Sequence, residues 1–197
     1  MKPLELLFAT FLFVTITNAQ TSLRNLLEGY GTPGSDDGLG SGIIGLGDIN
    51  NDGWDDFAVS AIGIHKTFLY FGGPKILDAA PDIVLKGGGR MSIGDLNGDG
   101  RKDLVIRQSV TTGNIDTLLV YFGKQPSLAS PLSLDTIPGF IFYSETGVDM
   151  YGYSFAIGDL NADGFDDLVV SASWYSSYRG KIYVYLGGKT LTDVTQK

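Results

Sequence analysis

The chain has 197 residues, a net charge of −8, 28 glycines and no cysteine. The cysteine count excludes disulfides, thiolate metal sites and cysteine nucleophiles. The acidic balance, with no cluster of Lys and Arg, excludes a surface for nucleic acid or an anionic membrane.

The length suits one domain with a real core, or part of a larger one. Frequent Gly, Tyr and Phe suggest many short strands joined by tight turns.

The first element in chain order is a signal peptide, residues 1–19. Lys2 supplies a basic start, which Glu5 weakens, and an apolar run from Leu6 to Ile16 follows. Thr17-Asn18-Ala19 offers small residues where a signal peptidase reads. The run is short for a bilayer span, and a buried strand or an uncleaved anchor is the alternative. Cleavage after Ala19 implies a secreted or extracellular protein (periplasmic or cell-surface in a bacterium) with no membrane span afterwards.

Residues 20–197 then repeat. Gly45–Ala61, Ser92–Arg107 and Ala156–Ala172 align, each around an acidic loop. A second shared segment follows each: Phe68–Gly73, Leu119–Gly123 and Tyr183–Gly188. The units run over about 38–88, 89–138 and 139–197, the second lengthened by a Pro- and Ser-rich loop from Lys124 to Gly139.

Each unit reads as a small antiparallel sheet. A short apolar strand enters the acidic loop, and a β-rich strand leaves it at Phe57–Ala61, Leu104–Arg107 or Leu168–Ala172. A third strand ends at the aromatic-Gly signal, and a fourth precedes the next unit, as at Ile83–Lys86 or Phe140–Ser144. No long window has helical period. Four short strands repeated at about fifty residues predict an all-β fold of propeller blades. Three blades are too few to close a ring, so the expectation is an incomplete or open propeller: the remainder of a longer chain, or copies that self-associate.

The loops are Asp48-Ile-Asn50-Asn-Asp52-Gly53-Trp54-Asp-Asp56, Asp95-Leu-Asn97-Gly-Asp99-Gly100-Arg101-Lys-Asp103 and Asp159-Leu-Asn161-Ala-Asp163-Gly164-Phe165-Asp-Asp167. Oxygen-bearing side chains fall at positions 1, 3, 5 and 9, and glycine at 6 allows the chain to wrap. Calcium takes six to eight hard oxygens in flexible geometry, whereas magnesium demands a tighter octahedron, so the pattern favours Ca²⁺. Three ions would bring the charge from −8 to about −2. Without metal the crowded carboxylates should strain or disorder the loops. An Asx turn without an ion is the plain alternative. An EF-hand is excluded, because position 12 is Val59, Ile106 or Val170 rather than Glu.

These residues resemble FG-GAP repeats, the blades of the integrin alpha-subunit β-propeller. The third unit fits best, from Tyr151-Gly152 through Asp159–Asp167, Ser171-Ala172-Ser173 and Ile182–Gly188. The first has Ser60-Ala61-Ile62 in place of Gly-Ala-Pro, and the second departs fully at Arg107-Gln108-Ser109. By position, the resemblance implies three calcium sites. Asp48, Asn50, Asp52 and Asp56 would act with the Trp54 carbonyl; Asp95, Asn97, Asp99 and Asp103 with that of Arg101; Asp159, Asn161, Asp163 and Asp167 with that of Phe165. It also implies cell adhesion, without identifying a ligand surface.

Other motifs are weak. Gly40–Gly45 fits a dinucleotide fingerprint formally but lacks the strand and helix around it. Gly152–Ala156 only looks like a nucleophile elbow, and His65, the one histidine, has no serine placed beside it. The expected function is a non-catalytic calcium-binding module for adhesion or for a protein or glycan ligand. An accessory segment of a larger secreted hydrolase and a structural scaffold are the alternatives.

Overall fold

A computed structural model describes residues 36–73, 80–108, 116–124, 134–145 and 149–189. The proposed signal peptide lies outside them, as does most of the Lys124–Gly139 loop. The described chain forms eleven strands. They are β1 (Leu39–Gly47), β2 (Asp56–Ala61), β3 (Lys66–Tyr70), β4 (Ile83–Lys86), β5 (Met91–Gly94), β6 (Asp103–Gln108), β7 (Thr117–Tyr121), β8 (Phe140–Tyr143), β9 (Tyr151–Gly158), β10 (Asp167–Ala172) and β11 (Lys181–Tyr185). Two helical turns, Ile62–Ile64 and Tyr175–Tyr178, link second to third strands.

The strands form three antiparallel sheets in the orders β1-β2-β3-β4, β5-β6-β7-β8 and β9-β10-β11. The architecture is all-β, with meandering sheets of propeller-blade type and no closed sheet. Two sequence expectations change. Among the described residues the third sheet has three strands rather than four. The fourth strand of the second sheet, β8, lies beyond the unit boundary drawn at residue 138, because Phe140 pairs with Val120. Repeat spacing placed that boundary at the end of a long connection instead of after the strand it leads to.

The weak motifs dissolve into strands. Gly40–Gly45 lies inside β1 and Gly152–Ala156 inside β9, so neither makes a phosphate loop or an elbow. His65 closes the turn before β3 in a left-handed conformation, φ 53°.

The sheets stack because β6 and β7, the central strands of the middle sheet, are buried on both faces, as strands covered on both sides are. Ala58, Leu69 and Leu85 of the first sheet meet Leu104, Ile106, Leu119 and Tyr121 of the second. The opposite face of the second sheet, with Val105, Leu118, Val120 and Phe142, packs on Leu168, Val170, Tyr183 and Tyr185 of the third. A buried arginine of the second sheet reaches across this second interface. Arg107 is buried, holds Asp116 at 3.0 Å and donates from Nε to the Tyr151 carbonyl at 3.2 Å. Arg107 stands where the other units have Ser60 and Ser171, so the departure from the repeat pattern at this position serves packing between units.

The outer face of the third sheet carries the same register of residues as the two covered faces but lies open. Ile182 is 67 % exposed and Leu160 60 %. Their nearest counterparts inside the array, such as Leu96, are buried.

The stacking generates a contrast in stability. Leu118→Ala, in the covered interface, should lower the urea-unfolding free energy by about 3 kcal/mol. Ile182→Ser, on the open face, should change it by less than about 0.5 kcal/mol. Equal losses would contradict the assignment of covered and open faces.

Candidate metal centre

Each acidic loop joins the first and second strands of its sheet, and the three have one hydrogen-bond pattern. In the first, Asp48 at position 1 accepts from the amides of Asp52 (3.0 Å) and Gly53 (2.8 Å). Asn50 Oδ1 accepts from the same Asp52 amide at 3.0 Å, and Asp52 Oδ1 accepts from Trp54 N at 2.9 Å. The second loop repeats this with Asp95, Asn97, Asp99, Gly100 and Arg101. The third repeats it with Asp159, Asn161, Asp163, Gly164 and Phe165. These nested turns are what Asp, Asn and Gly form when side-chain oxygens take up backbone amides.

The wrap needs left-handed backbone at position 6, supplied by Gly53, Gly100 and Gly164, φ 92°, 82° and 90°. Position 4 is left-handed as well: Asn51, Gly98 and Ala162, φ 60°, 69° and 60°. For Ala162 this costs about 1–2 kcal/mol.

Position 9 differs from the rest. Asp56, Asp103 and Asp167 are buried. Each takes one amide from loop position 2 and one from the glycine just after the third strand. Asp56 binds Ile49 N (2.8 Å) and Gly72 N (2.7 Å). Asp103 binds Leu96 N (2.9 Å) and Gly123 N (2.8 Å). Asp167 binds Leu160 N (3.0 Å) and Gly187 N (2.9 Å). A Cβ on Gly72 or Gly187 would lie 2.2 Å from the carbonyl oxygen of Asp55 or Asp166, and on Gly123 2.7 Å from that of Lys102. Only glycine lets the third strand approach the loop closely enough to donate. The aromatic-Gly signal marked a strand end in the sequence; its glycine is the second half of this clasp, a role the sequence reading missed.

Burial raises the Asp103 carboxyl to about 6, against the pull of its two amides and with a push from Asp99 and Asp95. Asp56 shifts up for the same first cause, burial, with Asp52 and Asp48 adding to it.

The structure thus brings all the proposed ligand residues of each loop into one turn, with hard oxygen donors throughout. Asp48 Oδ1 and Asn50 Oδ1 converge on one amide, and the Asp56 and Asp103 carboxylates lie within electrostatic reach of positions 1 and 5 of their loops. In kind, this donor set fits a calcium-like cation. Among the described residues, however, no group of three or more His, Asp or Glu side chains is gathered so as to hold a metal ion. The carboxylates of positions 1 and 5 face the loop's own amides, and that of position 9 faces one loop amide and the glycine after the third strand. These amides hold the loop oxygens in place.

Comparison with known proteins agrees with the repeat reading. Residues 151–185 match the family model described as FG-GAP repeat, the span of β9 to β11. Integrin alpha-5 of Xenopus laevis is 30% identical over 144 residues, 62% of this chain and 13% of that protein. Integrin alpha-7 of Homo sapiens is 32% identical over 122 residues, 54% of this chain and 9% of the relative. Integrin alpha pat-2 of Caenorhabditis briggsae is 28% identical over 199 residues, 90% of this chain and 16% of the relative. Residues 151–185 thus carry the FG-GAP repeat pattern, the chain is similar to integrin alpha subunits, and it spans between 9% and 16% of the length of the curated relatives it matches.

The Asp103 shift predicts a pH dependence in metal-free protein. A carboxyl raised in the folded state binds its proton more tightly there than in the unfolded chain. It therefore contributes stability at low pH that is lost as pH rises from about 4 through about 6. In EDTA, melting temperature should fall over this window, and Asp103→Asn should flatten the fall. An unchanged slope in the variant would show that Asp103 is not its source.

Proposed function

We propose that the chain is an extracellular, non-catalytic blade module that uses bound Ca²⁺ to fix its strand-joining loops and present a surface for adhesion or for a protein or glycan ligand. The observation that carries this is the threefold identity of the loops: the same Asp, Asn, Asp and Asp oxygens in the same bonds on three sheets. Backbone amides of the turn take up oxygens at positions 1, 3 and 5, and a cation would draw on the same donors. A hard cation requires oxygen at each of them.

In the proposed sites the side chains of Asp48, Asn50, Asp52 and Asp56, with the Trp54 carbonyl, hold one ion. Asp95, Asn97, Asp99 and Asp103, with the Arg101 carbonyl, hold a second. Asp159, Asn161, Asp163 and Asp167, with the Phe165 carbonyl, hold a third. When bound, the ion supplies charge neutralisation to each crowded loop. The protein's own part is to keep the oxygens in place, through the amides of positions 5 to 7 and the glycine clasp. The likeness to integrin alpha subunits supports the adhesion reading. Residues 1–19 support secretion by their sequence pattern. Among the described residues no helix is long and apolar enough to cross a membrane.

Calcium that binds the folded chain alone should stabilise it by about 2.7 kcal/mol per site at a hundredfold excess over Kd. Thermal melts in EDTA and in millimolar Ca²⁺ should separate clearly; coincident melts would reject the proposal. Asp159→Ala should remove one ion by native mass spectrometry and leave the first two units folded, since repeat units depend mainly on neighbours. An unchanged ion count would exclude the third loop as a site.

A further inference from the structure

The three loops share a bond pattern but not their surroundings. The position-2 residues Ile49 and Leu96 are both buried against the next sheet, but the second loop has a further contact from the third unit at position 1. The contact centres on Asp166, which stands at position 8 of the third loop, beside the proposed ligands and not among them.

Asp166 Oδ2 accepts from Asp95 N at 2.7 Å, and Asp166 N donates to Asp95 O at 2.9 Å. One residue of the third unit thus pairs with both backbone groups of position 1 in the second loop. Gly188 N, also from the third unit, donates to Leu96 O at 2.9 Å. The Phe165 ring lies on Gly98, where a Cβ would meet it at 2.2 Å. Gly94, just before Asp95, is covered by Ile157 and by Asp166 Oδ2, which would lie 2.2 and 2.8 Å from a Cβ there. Lys102 adds an ion pair to Asp166 at 3.8 Å.

At position 8 the second unit has Lys102, an ammonium with no acceptor oxygen, so it cannot give Asp48 the bond that Asp166 gives Asp95. Gly47, the counterpart of Gly94, has open space where its Cβ would be.

We propose that Asp166 is a positioning residue that latches the third unit onto the second loop, so that cation binding in this loop and docking of the third unit stabilise each other. The cation part rests on the function proposed above; the latch rests on the bonds just given. Asp95 supplies the first oxygen of the loop, and its backbone is held from both sides by Asp166. Ordering the loop with an ion therefore favours the docked arrangement, and by linkage docking raises cation affinity by the same factor. At the first loop Lys102 stands where Asp166 would be, so any coupling to the second unit does not run through a position-8 carboxylate.

The test is residue-resolved hydrogen exchange on the full chain, in EDTA and in Ca²⁺, for wild type, Asp166→Ala and Asp166→Asn. In EDTA, loss of the acceptor in Asp166→Ala should speed exchange of the Asp95, Asp99 and Gly100 amides about five- to tenfold and leave the Asp52 and Gly53 amides unchanged. Asp166→Asn keeps an acceptor oxygen and should restore most of the protection, which a merely charged surface residue would not. In wild type, Ca²⁺ should slow exchange of the Gly188 amide as well as of the second loop; in Asp166→Ala the effect on Gly188 should vanish while the first loop still responds. Wild-type exchange of the second loop in Asp166→Ala without metal would overturn the latch. An undiminished calcium effect on Gly188 in that variant would overturn the coupling. No calcium response in any loop of the wild type would overturn the cation reading and the coupling with it, and the EDTA comparison would then judge the latch alone.

Discussion

The structure depends on one repeated constraint: a buried carboxylate that must satisfy both of its oxygens with backbone amides. Asp56, Asp103 and Asp167 each sit at the base of a loop, where a charge without partners would cost several kcal/mol. Each solves this by taking an amide from the incoming loop and another from the glycine that ends the third strand. That pair of bonds ties the loop, the second strand and the third strand into one unit. It sets where the second strand starts and requires glycine at 72, 123 and 187. It also leaves positions 1, 3 and 5 of the loop on the solvent side, free to serve a cation.

Packing between units follows from what the clasp fixes. With the strands in register, position 2 of each loop turns towards the next sheet. Ile49 and Leu96 are buried there, whereas Leu160, with no described sheet beyond it, is exposed. The two interfaces are not equal. Across the second run the Arg107 bond to the Tyr151 carbonyl, the Lys181–Glu145 pair and the Asp166 contact to the second loop, against the Tyr121 hydroxyl on the Lys86 carbonyl across the first. Polar groups in a buried interface cost stability unless satisfied, and once satisfied they fix one arrangement. The interface between the second and third units is thus the more specified one.

Much of this was legible in the sequence. The strands leaving the loops were placed within a residue of β2, β6 and β10, because a Val/Leu/Ile run directly after an acidic turn has few alternatives. Ile83–Lys86 was placed correctly. Phe140–Ser144 was likewise read as the strand before the next unit, and β8 pairs with β7 there; the bound at 138, drawn from the end of the long Pro- and Ser-rich connection, falls in front of that strand. The role of Asp166 was invisible for another reason. Position 8 reads simply as one more acid beside Asp167, and only the approach of Ile157 and Phe165 to Gly94 and Gly98 shows that it faces the neighbouring loop. The clasping glycines were seen as turn punctuation, because a sequence shows that a glycine is present but not which carbonyl presses against it.

The central claim is that the three loops are built for cations and not merely for turns. Isothermal titration of the purified chain with Ca²⁺ tests it most directly, repeated with loop variants Asp52→Ala, Asp99→Ala and Asp163→Ala. The account predicts saturable binding near three ions per chain, falling by about one in each variant. No saturable heat at millimolar Ca²⁺, or a stoichiometry indifferent to all three substitutions, would contradict it.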